Sequence, residues 1–138
     1  MKKTGFIIIT FLLFTLTSFS QDNTNTNGAV ISFEKENHSF GTIIFGEEAQ
    51  YYFKFVNTGS TPLIISSVKS TCGCTIPDWP KNAIAPGDSA VVRVEYNTRR
   101  SGAFNKGITI YSNAINSPTL LTITGEVTAN KNKMIIGN

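Results

Sequence analysis

Between residues 30 and 128, apolar side chains recur at every second position in short runs, and each run ends in a cluster of Gly, Pro, Asn, Asp or Ser. A period of two puts alternate side chains on opposite faces of an extended chain, so the pattern predicts strands with one buried face. No stretch carries a convincing helical period. The clearest run is 49–57, where Tyr51, Phe53 and Phe55 share one face and Lys54 marks the solvent side. Residues 89–96 repeat the arrangement, with Val92, Val94 and Tyr96 inward and Arg93 and Glu95 outward. Further strands are predicted over 30–34, 40–45, 62–70 and 104–112, the last with Ile108 and Ile110 inward. A final strand ends near Val127 or Thr128 and puts Leu121, Ile123, Gly125 and Val127 on its core face.

Punctuation between the runs refines the picture. In 62–70 the parity slips: Leu63 and Ile65 share one face and Val68 falls on the other, so a β-bulge is expected at Ser66-Ser67. Asn57-Thr58-Gly59-Ser60 and Ala85-Pro86-Gly87-Asp88 read as turns, Asn and Gly accepting left-handed backbone and Pro presetting its own φ. Pro77-Asp78-Trp79-Pro80-Lys81-Asn82 reads as loop, because no regular strand should tolerate it. His38 falls in the connection Asn37-His38-Ser39. About seven strands, with turns every 8–12 residues or so, predict an all-β fold: an immunoglobulin-like β-sandwich of about seven antiparallel strands, with a closed barrel as the alternative. The immunoglobulin hallmark of two distant cysteines around a buried Trp is missing, which places the sandwich on a different branch.

The N-terminus changes the bookkeeping. Met1-Lys2-Lys3, an apolar run from Gly5 to Leu16, and the small residues Ser18 and Ser20 have the three-part layout of a secretory signal peptide, residues 1–20, with cleavage expected after Ser20. The run falls short of the roughly 20 residues that span a bilayer, so no membrane span is expected in the mature chain. No cysteine follows it to carry a lipid anchor. Residues 21–29 are polar and read as a flexible spacer, residues 30–128 as the folded domain, and residues 129–138 as a C-terminal tail, polar except for Met134-Ile135-Ile136. Of the 138 residues, enough remain after cleavage for one domain with a real core. The formal charge of +3 includes Lys2 and Lys3, so the mature protein is nearly neutral. No basic run exceeds Arg99-Arg100, and a nucleic-acid partner is excluded on that ground.

Several of these strings together resemble a known family. They are Phe40-Gly41 with Gly46-Glu47, Phe53-Lys54-Phe55-Val56-Asn57-Thr58-Gly59, Pro62-Leu63-Ile64-Ile65 leading to Cys72-Gly73-Cys74-Thr75, and Ile84-Ala85-Pro86-Gly87. Residues 33–127 so read resemble an uncharacterised family of exported bacterial proteins, a domain of unknown function. That family is similar to the sandwich domains of the major sperm protein and pilus-chaperone group. The resemblance implies a fold and an exported location; it brings no established activity and no functional residue.

The chain has two cysteines, Cys72 and Cys74, one residue apart. In an extended strand their Cα atoms would sit about 6.5–7 Å apart, whereas disulfides want roughly 4.4–6.8 Å, so a bridge requires a bend, which Gly73 permits most easily. A ring that small restrains the unfolded chain by only about 1.6 kcal/mol, against about 3 for a 15-residue loop. Three readings stay open: small half-buried residues packing at a strand end, a redox pair, or a metal site in which Cys72 and Cys74 hold Cu(I) or Zn(II). Zinc would need further ligands, and His38 is the sole histidine; in a turn its default is solvation. The carboxylates fall on turns and outward faces, and the glycines are scattered rather than gathered into a phosphate loop, so no cofactor and no catalytic constellation is expected. Trp79, between Pro77 and Pro80, either folds back over the sandwich end or offers a partner-binding contact, and it is expected to share one end of the domain with the cysteines.

The expectation is an exported, non-catalytic module of the periplasm or the cell exterior. It would bind a protein or surface partner, pairing through a strand edge as one mode, or serve a structural role in the envelope. The alternative is a thiol-based copper or redox protein of the envelope that works through the Cys-Gly-Cys pair.

Overall fold

A computed structural model describes residues 27–129. The predicted signal peptide, residues 21–26 of the spacer and residues 130–138 of the tail lie outside the described residues. Eight strands follow in order: β1 (Ile31–Phe33), β2 (Asn37–Ile44), β3 (Gln50–Asn57), β4 (Ile65–Ser70), β5 (Thr75–Asp78), β6 (Ser89–Tyr96), β7 (Gly102–Ser112) and β8 (Thr119–Thr128). They form two four-stranded sheets, ordered β1-β3-β6-β5 (sheet A) and β2-β8-β7-β4 (sheet B). The predicted immunoglobulin-like β-sandwich is the observed fold.

The predicted inward faces make the core. Phe53 and Phe55 of β3 and Val92 and Val94 of β6 meet Ile108 and Ile110 of β7 and Leu121 and Ile123 of β8, all at most 1% exposed. Burial on that scale contributes about 1.5–3 kcal/mol per side chain. Tyr96 of sheet A and Phe104 of sheet B stack at 3.7 Å between ring centroids. The Phe104 ring fills the space where a Cβ on Gly125 would stand. The bulge in β4 is present too, as a register shift between Ile65 and Ser67.

The structure corrects three expectations. There are eight strands rather than about seven, because β5 runs through Thr75–Asp78 and includes Pro77. An edge strand can hold a proline where its missing N–H faces outward, and β5 is an edge. The strands are not all antiparallel: β2 pairs with β8 in parallel. β2 also begins at Asn37, so His38 lies on a strand, not in a turn.

Asn57, the last residue of β3, is wholly buried. Its Nδ2 donates to the carbonyls of Thr61 (2.8 Å) and Ile84 (2.9 Å), and its Oδ1 accepts from the amides of Gly59 (3.0 Å) and Val30 (3.4 Å). One side chain thereby fixes the β3–β4 turn, the approach to β1 and the loop before β6. Gly59 is needed here for space: a Cβ would run into the backbone of Gly28 and Val30, while its φ is not left-handed. Gly87 is the converse case, with φ at 84° as the turn chemistry predicts.

Candidate functional site

The cysteines sit at the corner where the chain leaves sheet B at β4 and enters sheet A at β5. Cys72 and Cys74 form a disulfide with Cα atoms 5.2 Å apart, so the chain bends as a bridge requires. Gly73 faces open space and lacks a left-handed φ, so the bend does not depend on glycine. The corner is pinned from both sides. Ser70 Oγ donates to the carbonyls of Cys72 (2.6 Å) and Thr75 (3.2 Å), and the Asn97 amide donates to the Cys74 carbonyl at 2.8 Å. Cys74 is buried in the core, whereas Cys72 is half-buried against it. An external thiolate therefore reaches Cys72 first, and attack there expels the Cys74 thiolate into apolar surroundings that disfavour it.

His38 is not near this corner. It lies on β2, at the opposite edge of sheet B from β4, and stacks on Tyr51 at 3.6 Å with Phe40 edge-on at 4.6 Å. Burial, then the positive charge of Lys35, lowers its pKa from the usual 6.5. Its ring clasps the two sheets together and is no co-ligand for the cysteine pair. Among the described residues no three His, Cys, Asp or Glu side chains are grouped to hold a metal ion.

Trp79 does not share an end with the cysteines. Thr75 lies opposite Tyr96 and Asp78 opposite Arg93, so the disulfide flanks one end of β5 and Trp79 the other. The indole is half-buried against the core, and Lys81 Nζ stands 2.9 Å over its ring. A cleft of about 410 Å³ opens beside it, lined by Trp79 and Ala90, which pack against the core, by Pro80, and by Tyr52, Asp78, Val91 and Arg93 of the outer face of sheet A. Tyr52 is 51% exposed, Val91 41% and, further along β5, Ile76 54%. Alternation alone assigns these positions to the solvent face and gives no weight to their being Tyr, Val and Ile. An outward face occupied by such residues is the signal in the sequence that points to this surface. Arg93 is held in place by Glu95 Oε2 (3.0 Å) and Gln50 Oε1 (3.3 Å), both through Nη1.

The sheet-A edges beside this face are partly closed, in different ways. On β1 Asn116 takes the outward groups of Ile31, accepting from its amide (3.1 Å) and donating to its carbonyl (2.8 Å). On β5 the Cys74 carbonyl points toward β6, so Thr75 and Pro77 face outward. The Thr75 carbonyl is engaged by Ser70, and Pro77 has no N–H to offer.

Residues 31–127 match the model of a family described as a protein of unknown function, DUF1573. The chain belongs to that family. A comparison with curated proteins finds no match. Among solved structures, a Porphyromonas gingivalis W83 protein of unknown function is similar at 18% identity and a TM-score of 0.63, over 71% of this chain and 46% of that one. The chain thus spans under half the length of that relative. The PapD-like domain 7 of human CEP192 is similar at 10% identity and a TM-score of 0.65, over 85% of this chain and 98% of that domain. The CupB2 chaperone of Pseudomonas aeruginosa is similar at 12% identity and a TM-score of 0.51, over 70% and 55%. At these identities the likeness shows the fold alone: this chain is built like the PapD-like, immunoglobulin-like sandwiches.

Proposed function

We propose that this chain is an exported, non-catalytic module of the cell envelope that recognises a protein partner through the outer face of sheet A. The observation that carries the reading is the pair of solvent-facing side chains Tyr52 and Val91 at the Trp79 cleft. Clusters of this kind on an otherwise alternating sheet mark interaction surfaces, and Trp and Tyr are the residues that anchor them. Among the described residues the face holds no nucleophile beside a base, which supports a binding role over a chemical one. Export is supported by the signal-like N-terminus, and protein binding by the pilus-chaperone likeness of the fold. The test is a photo-crosslinking amino acid at position 91 in cells making the protein. A discrete adduct from position 91, and none from the exposed Leu120 of sheet B, is the expected result; equal labelling from both positions would overturn the reading.

The disulfide favours a second reading, a redox pair that holds copper once reduced. Two thiolates at Cys72 and Cys74 suit Cu(I) without further ligands. The buried Cys74 weighs against easy exchange. A glutathione titration followed by alkylation and intact mass decides it: reduction at a poise near that of a periplasmic oxidant favours the redox pair, and resistance leaves a structural staple.

A further inference from the structure

β7 is longer than the strand that covers it. β4 ends at Ser70, opposite Ile108, while β7 begins at Gly102, so the N-terminal part of β7 has β8 on one side and no strand on the other. Successive residues of a strand aim their backbone groups at opposite neighbours. The Thr71 amide donates to the Gly107 carbonyl at 3.0 Å, so the odd-numbered residues of β7 face the β4 side. Thr71 Oγ1 accepts from the Gly107 amide (3.3 Å), and the pairing stops there. The N–H and C=O groups of Ala103 and Asn105 come next, and among the described residues no hydrogen bond reaches them. Continued in the same register, β4 would set Cys72 opposite Lys106 and Cys74 opposite Phe104. The disulfide-closed bend takes the chain to sheet A instead and leaves this stretch of edge open. β2 and β4, the outermost strands of sheet B, each carry a register shift, which blunts an edge; this part of β7 keeps an unbroken register against β8.

Charge decides what this edge accepts. Lys106 falls on the inward side of the β7 alternation, between Phe104 and Ile108, and its half-buried side chain has no acidic partner among the described residues. Arg100, exposed in the turn that enters β7, has none either. Arg99 is set aside, because it lines a cleft with Glu47, Glu48 and Glu95. An inward lysine turns away a strand that would bury an apolar side chain against it, and admits one that brings a carboxylate. Glu126 stands across the ladder from Ala103, on the outer face, so the acid of a ligand belongs on the inner face only. Two copies of the chain paired edge to edge would gather Lys106 and Arg100 from both, which like-charge repulsion disfavours. The tail carries Lys131 and Lys133 and no acid, so it too has the wrong sign.

We propose that the open edge of β7 receives an extended acidic segment of a partner protein as an added strand, antiparallel to β7 and in line with β4, with an Asp or Glu of the segment beside Lys106. The site is separate from the outer face of sheet A, so the crosslink from position 91 tests the one and leaves the other to its own experiment. That experiment follows backbone amide signals and amide hydrogen exchange of the full chain by NMR. The probes are an octapeptide of alternating Glu and Thr, one of alternating Lys and Thr, and the Glu-Thr peptide N-methylated at its threonines. With Glu beside Lys106, the threonines fall opposite Ala103 and Asn105 and supply the pairing N–H groups. The expected result is that exchange of the Ala103 and Asn105 amides slows about ten-fold or more with the unmodified Glu-Thr peptide alone. Lys106→Gln should weaken that peptide about ten-fold. Asn105→Pro removes one outward N–H without touching the β8 ladder, and it should abolish binding while circular dichroism shows the fold kept. No response at millimolar peptide, an equal response to the Lys-Thr or the N-methylated peptide, or binding that survives both substitutions overturns the inference. Protection of both amides already in the free protein would show the edge occupied by the chain itself or by a second copy, and overturns it as well.

Discussion

Replacing Asn57 with alanine should be among the most damaging single changes available outside the hydrophobic core. The amide makes four hydrogen bonds from a wholly buried position. Their loss is uneven. The Ile84 carbonyl keeps a second donor, the Leu63 amide at 2.8 Å, and the Val30 contact is long at 3.4 Å. The Gly59 amide and the Thr61 carbonyl lose the partner that Asn57 gave them. Both groups are only part-buried, so each costs about 1 kcal/mol when stranded, and the lost side-chain packing adds to it, so about 2–4 kcal/mol is expected. Single domains of this size have about 5–15 kcal/mol in total. With a urea m-value of about 1.5 kcal/mol/M, the unfolding midpoint should fall by roughly 1–3 M. Urea unfolding followed by far-UV circular dichroism, with Trp79 fluorescence as a second probe, measures this. Asn57→Asp should be no milder, because it sets a carboxylate oxygen against two carbonyls. A loss below about 1 kcal/mol for Asn57→Ala, at unchanged m, would refute the claim that this amide organises the three loops.

Two further substitutions separate glycines that look alike in the sequence. Gly59→Ala should destabilise by about 1–3 kcal/mol, because its Cβ meets backbone that is itself bonded, whereas Gly73→Ala should lie within about 0.5 kcal/mol of the parent; equal effects in thermal melts would contradict the packing described. His38 should make stability depend on pH. Its folded pKa is lowered, so the unfolded chain binds the extra proton, and stability present above 6.5 is lost as pH falls toward the folded value. The melting temperature of the parent should drop more steeply than that of His38→Gln between about pH 7.5 and about pH 5.5, and parallel profiles would show that the histidine does not contribute.

Alternation makes most of this fold readable. β3, β6, β7 and β8 are long and carry their core residues at period two, so Phe53, Val92, Ile108 and Leu121 can be placed from the sequence. The β4 bulge is readable for the same reason, since one looped-out residue is the simplest way for a strand to change parity. Whatever depends on a neighbour strand is not readable. Pro77 argues against a strand until β5 is known to be an edge, and the parallel partner of β2 is not written in β2. The same gap puts His38 in a turn and joins Trp79 to the cysteines, although the length of β5 separates them. Asn57 looks like a turn former because its local sequence is one. Its deeper role needs Val30 and Ile84 alongside. The cysteine pair stands out in the string as unusual chemistry, while the apolar cluster at Tyr52 and Val91 does not, because each residue there is ordinary.

The parallel pairing of β2 with β8 has a consequence for how the chain acquires its shape. Ile43 and Thr128, in contact across that ladder, are 85 residues apart in sequence. Sheet B cannot close until the last strand has been made, and among the described strands β2 has no other partner before then. Topologies dominated by such distant pairings fold slowly. A chain synthesised from its N-terminus can therefore pair all of sheet A by Tyr96, while sheet B stays open until β8 has been made. The same delay leaves the free edge of β7 uncovered in any product that stops before residue 119, and such fragments should aggregate rather than persist as partial domains.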